Sequence, residues 1–238
     1  VREQARASFL PVDGASLRVF LPIMKADITT MPARPLSFAN LLTYGRMAAV
    51  PVVVALMYWQ GILGGELWLR WAALAVFIVA AVTDFFDGYV ARAWGQQSSL
   101  GRMLDPIADK ILVSSCLLML AADATIKGWS LIAAVIILCR EILVSGMREY
   151  LAELRVRVQV TKLAKWKTTM QLVAIGFLVA GEAGDKAFTS FGFHLGTAPN
   201  VIGIVTPVGI TLLWISAVLT LYTGYDYMRA GLHHLVDE

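Results

Sequence analysis

Charge is what this sequence has least of. Only 16% of its 238 residues are Asp, Glu, Lys or Arg, against about a quarter in an ordinary soluble domain. That scarcity excludes a water-soluble enzyme with a fully solvated surface. Cysteine is nearly absent, with Cys116 and Cys139 both set inside apolar runs. Neither a disulfide nor a thiolate metal site has support, and both residues read as small buried hydrophobes. The first 33 residues hold no apolar run with the length and ending of a signal peptide. No internal repeat is visible, which counts against the repeated halves of a transporter.

What remains is apolar. Hydrophobic residues make up 58% of the chain and the mean hydropathy is +0.68. The reading is an all-α polytopic membrane protein. Six spans are expected at roughly 46–64, 70–92, 101–122, 129–150, 166–183 and 204–229, each near the ~20 apolar residues that a bilayer core requires. Residues 35–45 are amphipathic and are expected to form an N-terminal interfacial helix. Residues 1–33, with Pro11, Pro22 and Pro32, read as a peripheral or poorly ordered extension, and Met31 is a candidate alternative start. Residues 34–238 read as one membrane domain.

The net charge of +3 is modest, and its distribution says more. Arg34 and Arg46 flank the first span, and Arg92 and Arg102 lie between the second and third. Arg148, Arg155, Arg157, Lys162, Lys165 and Lys167 crowd the loop between the fourth and fifth. The alternate loops carry only Arg70, Lys127 and Lys186, beside four acids. The positive-inside rule then puts both termini on the cytoplasmic side of an inner membrane.

Into this apolar chain falls a cluster of acids. The run Asp84-Phe-Phe-Asp87-Gly88-Tyr-Val-Ala91-Arg92 is followed by Gly101, Asp105 and Asp109. A carboxylate at membrane depth needs a partner, a proton or a cation. Asp84 and Asp87 are three apart and Asp105 and Asp109 four apart, so on helices each pair shares a face. Two helices hinged near 93–100 can aim both pairs at one point. Four hard oxygen donors match two divalent ions, magnesium or manganese, of the kind that stabilises charge in displacement at phosphorus. Gly88 leaves room for a ligand near the backbone, Ala91 keeps the face open, and Arg92 is suited to a phosphate. Solvated acids at the membrane edge and an ion-conducting site are the other readings of the same residues.

This pattern resembles that of the CDP-alcohol phosphotransferase family: two Asp three apart, Gly, Ala-Arg, a spacer, Gly, then two Asp four apart. The resemblance covers about residues 36–229. It implies transfer of a substituted phosphate from a CDP-linked donor to an alcohol, with release of CMP. It implies that Asp84, Asp87, Asp105 and Asp109 hold the metals and that Asp109 is also the general base. For the CDP-lipid it implies Asn40 and Thr43 before the first span, Asp87, Gly88, Ala91 and Arg92 in the motif, and Ser98 in the spacer. Members are commonly homodimers, with lipid tails entering between helices.

The acceptor has to be read elsewhere. Arg140-Glu141-Ile-Leu-Val-Ser-Gly-Met-Arg148-Glu149 closes the fourth span, and Lys165, Lys167, Thr168, Thr169 and Gln171 open the fifth. Arg140, Arg148, Lys165 and Lys167 make a basic mouth suited to an acceptor that carries a phosphate. Within the family these runs resemble the bacterial branch that uses sn-glycerol 3-phosphate with CDP-diacylglycerol. The competing expectations are a sister enzyme accepting inositol phosphate, serine or phosphatidylglycerol and, more distantly, a divalent-cation transporter. The expected partners are the two substrates and membrane lipids, with no nucleic acid.

Overall fold

A bilayer offers the backbone no hydrogen bonds, so a spanning chain must supply its own, and a long apolar run does so as helix. The computed structural model describes residues 38–94, 99–153, 162–192 and 203–236. Six helices follow in order: α1 (Phe38–Gly61), α2 (Trp68–Trp94), α3 (Ser99–Ala122), α4 (Ser130–Glu153), α5 (Lys162–Ser190) and α6 (Val205–Val236). Each covers one expected span. The extension at 1–33 lies outside the described residues.

Three stretches, Leu41–Gly61, Ser130–Leu151 and Val205–Arg229, are long and apolar enough to cross a membrane. Among the described residues α2 offers a shorter apolar stretch, Trp68–Thr83, and Asp84 follows it in the sequence. α3 and α5 also carry charges near their ends, Asp105, Asp109 and Lys110 on one and Lys162 to Lys167 on the other. One expectation changes. No break separates a surface segment at 35–45 from a first span: α1 is continuous from Phe38, with Gly45 and Pro51 inside it.

The outer surface is apolar. Trp129 is 81% exposed, Ile142 70% and Leu118 68%. Water would penalise such a surface and lipid does not. Cys116 is buried as expected, but Cys139 faces outward. The core runs through the bundle from Met57 and Phe77 to Leu120, Ile137, Ile175 and Leu213. α1 packs on α2 and α3, α2 on α5, and α4 and α5 on α6, with α3 lightly against α4 and α5.

One end of the bundle is tied by Arg70, which the loop-charge count had treated as an outside charge. It is 4% exposed. Its Nε donates to the Val179 carbonyl at 2.9 Å and its Nη2 to Thr125 Oγ1 at 2.7 Å and the Leu178 carbonyl at 3.3 Å. Its Nη1 donates to Gln60 Oε1 at 3.0 Å and pairs with Asp123 Oδ2 at 3.0 Å. Gly181 explains how α5 can offer those carbonyls. Its φ of 39° and ψ of −123° interrupt the helix, which disturbs the ladder one turn earlier and leaves donors wanting there. A Cβ at Gly181 would also sit 2.9 Å from Arg70 Nη2. Both the backbone angle and the guanidinium require glycine.

These bonds gather the end of α1, the start of α2, the turn after α3 and the late part of α5. The opposite end therefore collects the start of α1, the end of α2, the start of α3, the end of α4, the start of α5 and the end of α6.

Candidate active site

That opposite end holds the helix positions of the candidate site residues that are described. Asp84, Asp87, Gly88, Ala91 and Arg92 lie in the last turns of α2. Asp105 and Asp109 lie in the first turns of α3, with Pro106 inside the helix between them. The side chains of Asp84, Asp87, Arg92, Asp105, Asn40 and Lys165, like the whole of Ser98, lie outside the described residues. Asp109 is half-buried. The hinge expected near 93–100 corresponds to the change from α2 to α3 between Trp94 and Ser99.

α1 shows how a membrane helix turns polar as it nears this end. Thr43, Arg46, Val50, Val53 and Met57 recur every three or four residues, and all are buried. The stripe is apolar in mid-membrane and becomes threonine and arginine at the site. Thr43 had been singled out; Arg46 had been read as a flanking charge. It is 1% exposed, the largest of the fully buried side chains. It lines a cavity of about 390 Å³ with Gly45 and Thr83, the residue before Asp84. The spacing Asn40, Thr43, Arg46 was the signal that would have found it.

The basic residues converge from three helices. Glu141 on α4 receives Lys167 Nζ from α5 at its Oε1, and Arg140 Nη1 meets the same oxygen at 3.4 Å. Arg140 Nη2 donates to Thr223 Oγ1 on α6 at 3.1 Å. Gly224 makes room for this: a Cβ there would lie 3.1 Å from Arg140 Cγ. Two turns further along α4, the Arg148 guanidinium stands over the Tyr227 ring of α6, 5.7 Å from its centroid. Glu141, Ser145 and Arg148 share one face of α4, and Lys110, the residue after Asp109, donates to Ser145 Oγ. That bond joins the Glu141–Arg148 face of α4 to the helix of the second Asp pair.

Between α2 and α5 runs an apolar groove of about 600 Å³. It begins at Val82 and Thr169, each two residues from Asp84 or Lys167, and runs past Phe77 and Gly176 to Trp71 and Phe188. Gly176 leaves its floor open, since a Cβ there would make only ordinary contacts with Phe77 and Leu74, at 3.8 and 4.0 Å.

The chain is similar to known proteins over most of its length. The family model described as CDP-alcohol phosphatidyltransferase matches residues 36–222. A protein of Cereibacter sphaeroides named CDP-diacylglycerol–glycerol-3-phosphate 3-phosphatidyltransferase is 40% identical over 227 residues, spanning 85% of this chain and 98% of its own. Proteins of the same name from Rickettsia bellii and Shigella flexneri serotype 5b are 41% and 36% identical, over 80% and 84% of this chain and 93% and 97% of their own. The chain belongs to the CDP-alcohol phosphatidyltransferase family.

Proposed function

We propose that the chain transfers the phosphatidyl group of CDP-diacylglycerol to sn-glycerol 3-phosphate, giving phosphatidylglycerol phosphate and CMP. The observation that carries this is the meeting, at one end of the bundle, of the complete Asp motif with Arg140, Arg148 and Lys167 from α4 and α5. The relatives named above carry the same reaction in their names.

Asp84, Asp87, Asp105 and Asp109 are the residues that would hold two divalent ions, magnesium or manganese. All four donors are hard oxygens, from adjacent helix ends, as such ions require. When bound, the ions offset the diphosphate's charge and polarise the phosphorus. Asp109 accepts the proton of the acceptor's hydroxyl as its oxygen bonds to the lipid-side phosphorus and the bond to CMP breaks. Arg92 meets the departing phosphate, and Asn40, Thr43, Gly88, Ala91 and Ser98 hold the nucleotide. Arg140, Arg148, Lys165 and Lys167 hold the acceptor's phosphate. These roles are positioning and electrostatic in kind.

The donor's tails need an apolar path from the phosphate into the membrane. The groove between α2 and α5 supports one. From Trp71 to Val82 a helix rises about 16 Å, close to the ~15 Å of one leaflet's hydrocarbon. In this reading the six helices of the membrane domain at 34–238 cross an inner membrane, and both termini and the site face the cytoplasm. The chain works as a homodimer, as its resemblance implies.

A CMP-release assay tests the proposal. Protein with CDP-diacylglycerol and magnesium receives one acceptor at a time. Release with glycerol 3-phosphate alone is the expected result. Release only with inositol phosphate, serine or phosphatidylglycerol would keep the Asp chemistry and discard the reading of α4 and α5.

A further inference from the structure

The basic mouth contains an acid with no part in the chemistry above. Glu141 lies within an apolar helix, where a carboxylate is costly. Its Oε1 receives both Lys167 and Arg140. The Lys167 side chain is 4% exposed, the Arg140 side chain 12% and the Glu141 side chain 25%. The charge of Arg148 reaches both Arg140 and Lys167. Arg140 and Lys167 thus share one carboxylate, and with Arg148 two turns on along the same helix the cluster sets three cations against Glu141, an excess of two positive charges. A phosphate monoester carries about −1.5 to −2 at neutral pH, so the excess matches one such group.

Arg140 also keeps donor capacity in reserve. Its Nη1 has only the long contact to Glu141, and its buried Nε has no hydrogen-bond partner among the described residues. Lys167 is different. A lysine this buried loses its charge or swings away unless an anion stays beside it. Glu141 is that anion. It is fixed on α4 one turn before Ser145, which Lys110 ties to the Asp helix.

We propose that Glu141 is a positioning residue for the acceptor. It keeps Lys167 charged and holds it with Arg140 where the acceptor's phosphate binds, without touching the reacting atoms. This rests on the reading of Arg140 and Lys167 as the phosphate site.

The test measures KM for glycerol 3-phosphate and for CDP-diacylglycerol separately, in full-length protein. Glu141→Gln keeps the shape and removes the charge. The acceptor KM is expected to rise on the order of 10-fold or more, as when one partner of a buried charge pair is lost, while the donor KM stays within about twofold. Glu141→Asp, which keeps the charge, is expected to recover much of the loss. In Lys167→Met, adding Glu141→Gln is expected to cost little more, since the pair acts as a unit. The double variant removes both buried charges together and serves if the single glutamine variant is not recovered. An acceptor KM unchanged by Glu141→Gln, while Lys167→Met raises it, would overturn the proposal and leave the phosphate site standing. Equal rises in both KM values for both single variants would overturn the phosphate site as well.

Discussion

Two buried arginines at opposite ends of the bundle show how much a single residue decides here. Arg70 has five contacts to three other segments. Replacing it with alanine leaves Asp123, whose side chain is 2% exposed, with no cation. Such a loss costs about 3–5 kcal/mol. Arg70→Ala is expected to lower the unfolding temperature sharply in detergent, and Gly181→Ala to do so too, through both its backbone angle and its clash. A Gly181→Ala protein as stable as the wild type would mean that α5 straightens without loss. At the other end, Asp109 carries the proposed proton transfer. Asp109→Asn is expected to reduce turnover by about 10²-fold or more, with CDP-diacylglycerol binding retained. Normal turnover would remove Asp109 as the base.

Elements set the environment in which those residues act. α2 and α3 each bring two carboxylates to one end, and four like charges at neighbouring helix ends repel unless cations join them. Chelation of divalent ions is expected to abolish activity and lower the unfolding temperature, with magnesium or manganese restoring both. Full activity in chelator would sink the role assigned to the motif. α2 and α5 form the groove, and Gly176 is the place to fill it. Gly176→Leu is expected to raise the KM for long-chain CDP-diacylglycerol several-fold, with a much smaller effect on a short-chain donor. An equal effect on both would mean that no acyl chain lies there.

Helices were the most legible part of the sequence. A span is a run of about 20 apolar residues, and α3, α4 and α6 begin within two residues of their expected starts. The motif was legible too, because its spacing fits two helices and no shorter element. Three-dimensional partners were not. Arg46 and Arg70 looked like loop charges because both sit where a hydropathy window ends. Each belongs instead to the buried face of its helix, and a one-dimensional count of loop charges does not see faces. Gly181 gave no signal in sequence, since glycine inside a membrane helix is ordinary. Glu141 stood in the sequence only as part of the run that closes the fourth span, and its partner Lys167 lies 26 residues away, brought to it by the fold.

Across the whole molecule the two ends have opposite tasks. One is closed around Arg70 and its ion pair with Asp123, and the other gathers the basic residues Arg140, Arg148 and Lys167. Capping of α6 belongs to the closed end as well: Asp185 on α5 accepts from Val205 N at 2.7 Å, Thr206 N at 3.2 Å and Thr206 Oγ1 at 2.5 Å. This cap comes from another helix, so α6 starts where α5 tells it to. The Arg70 contacts have a further meaning for a chain made from its N-terminus. Gln60 and Arg70 are made early, Asp123 and Thr125 after the third helix, and Leu178 and Val179 only with the fifth helix. Until then the nascent protein carries a cation whose carbonyl acceptors have not yet been synthesised. The fifth helix therefore completes the set, and a product cut short before residue 178 would lack two of the five contacts that hold Arg70.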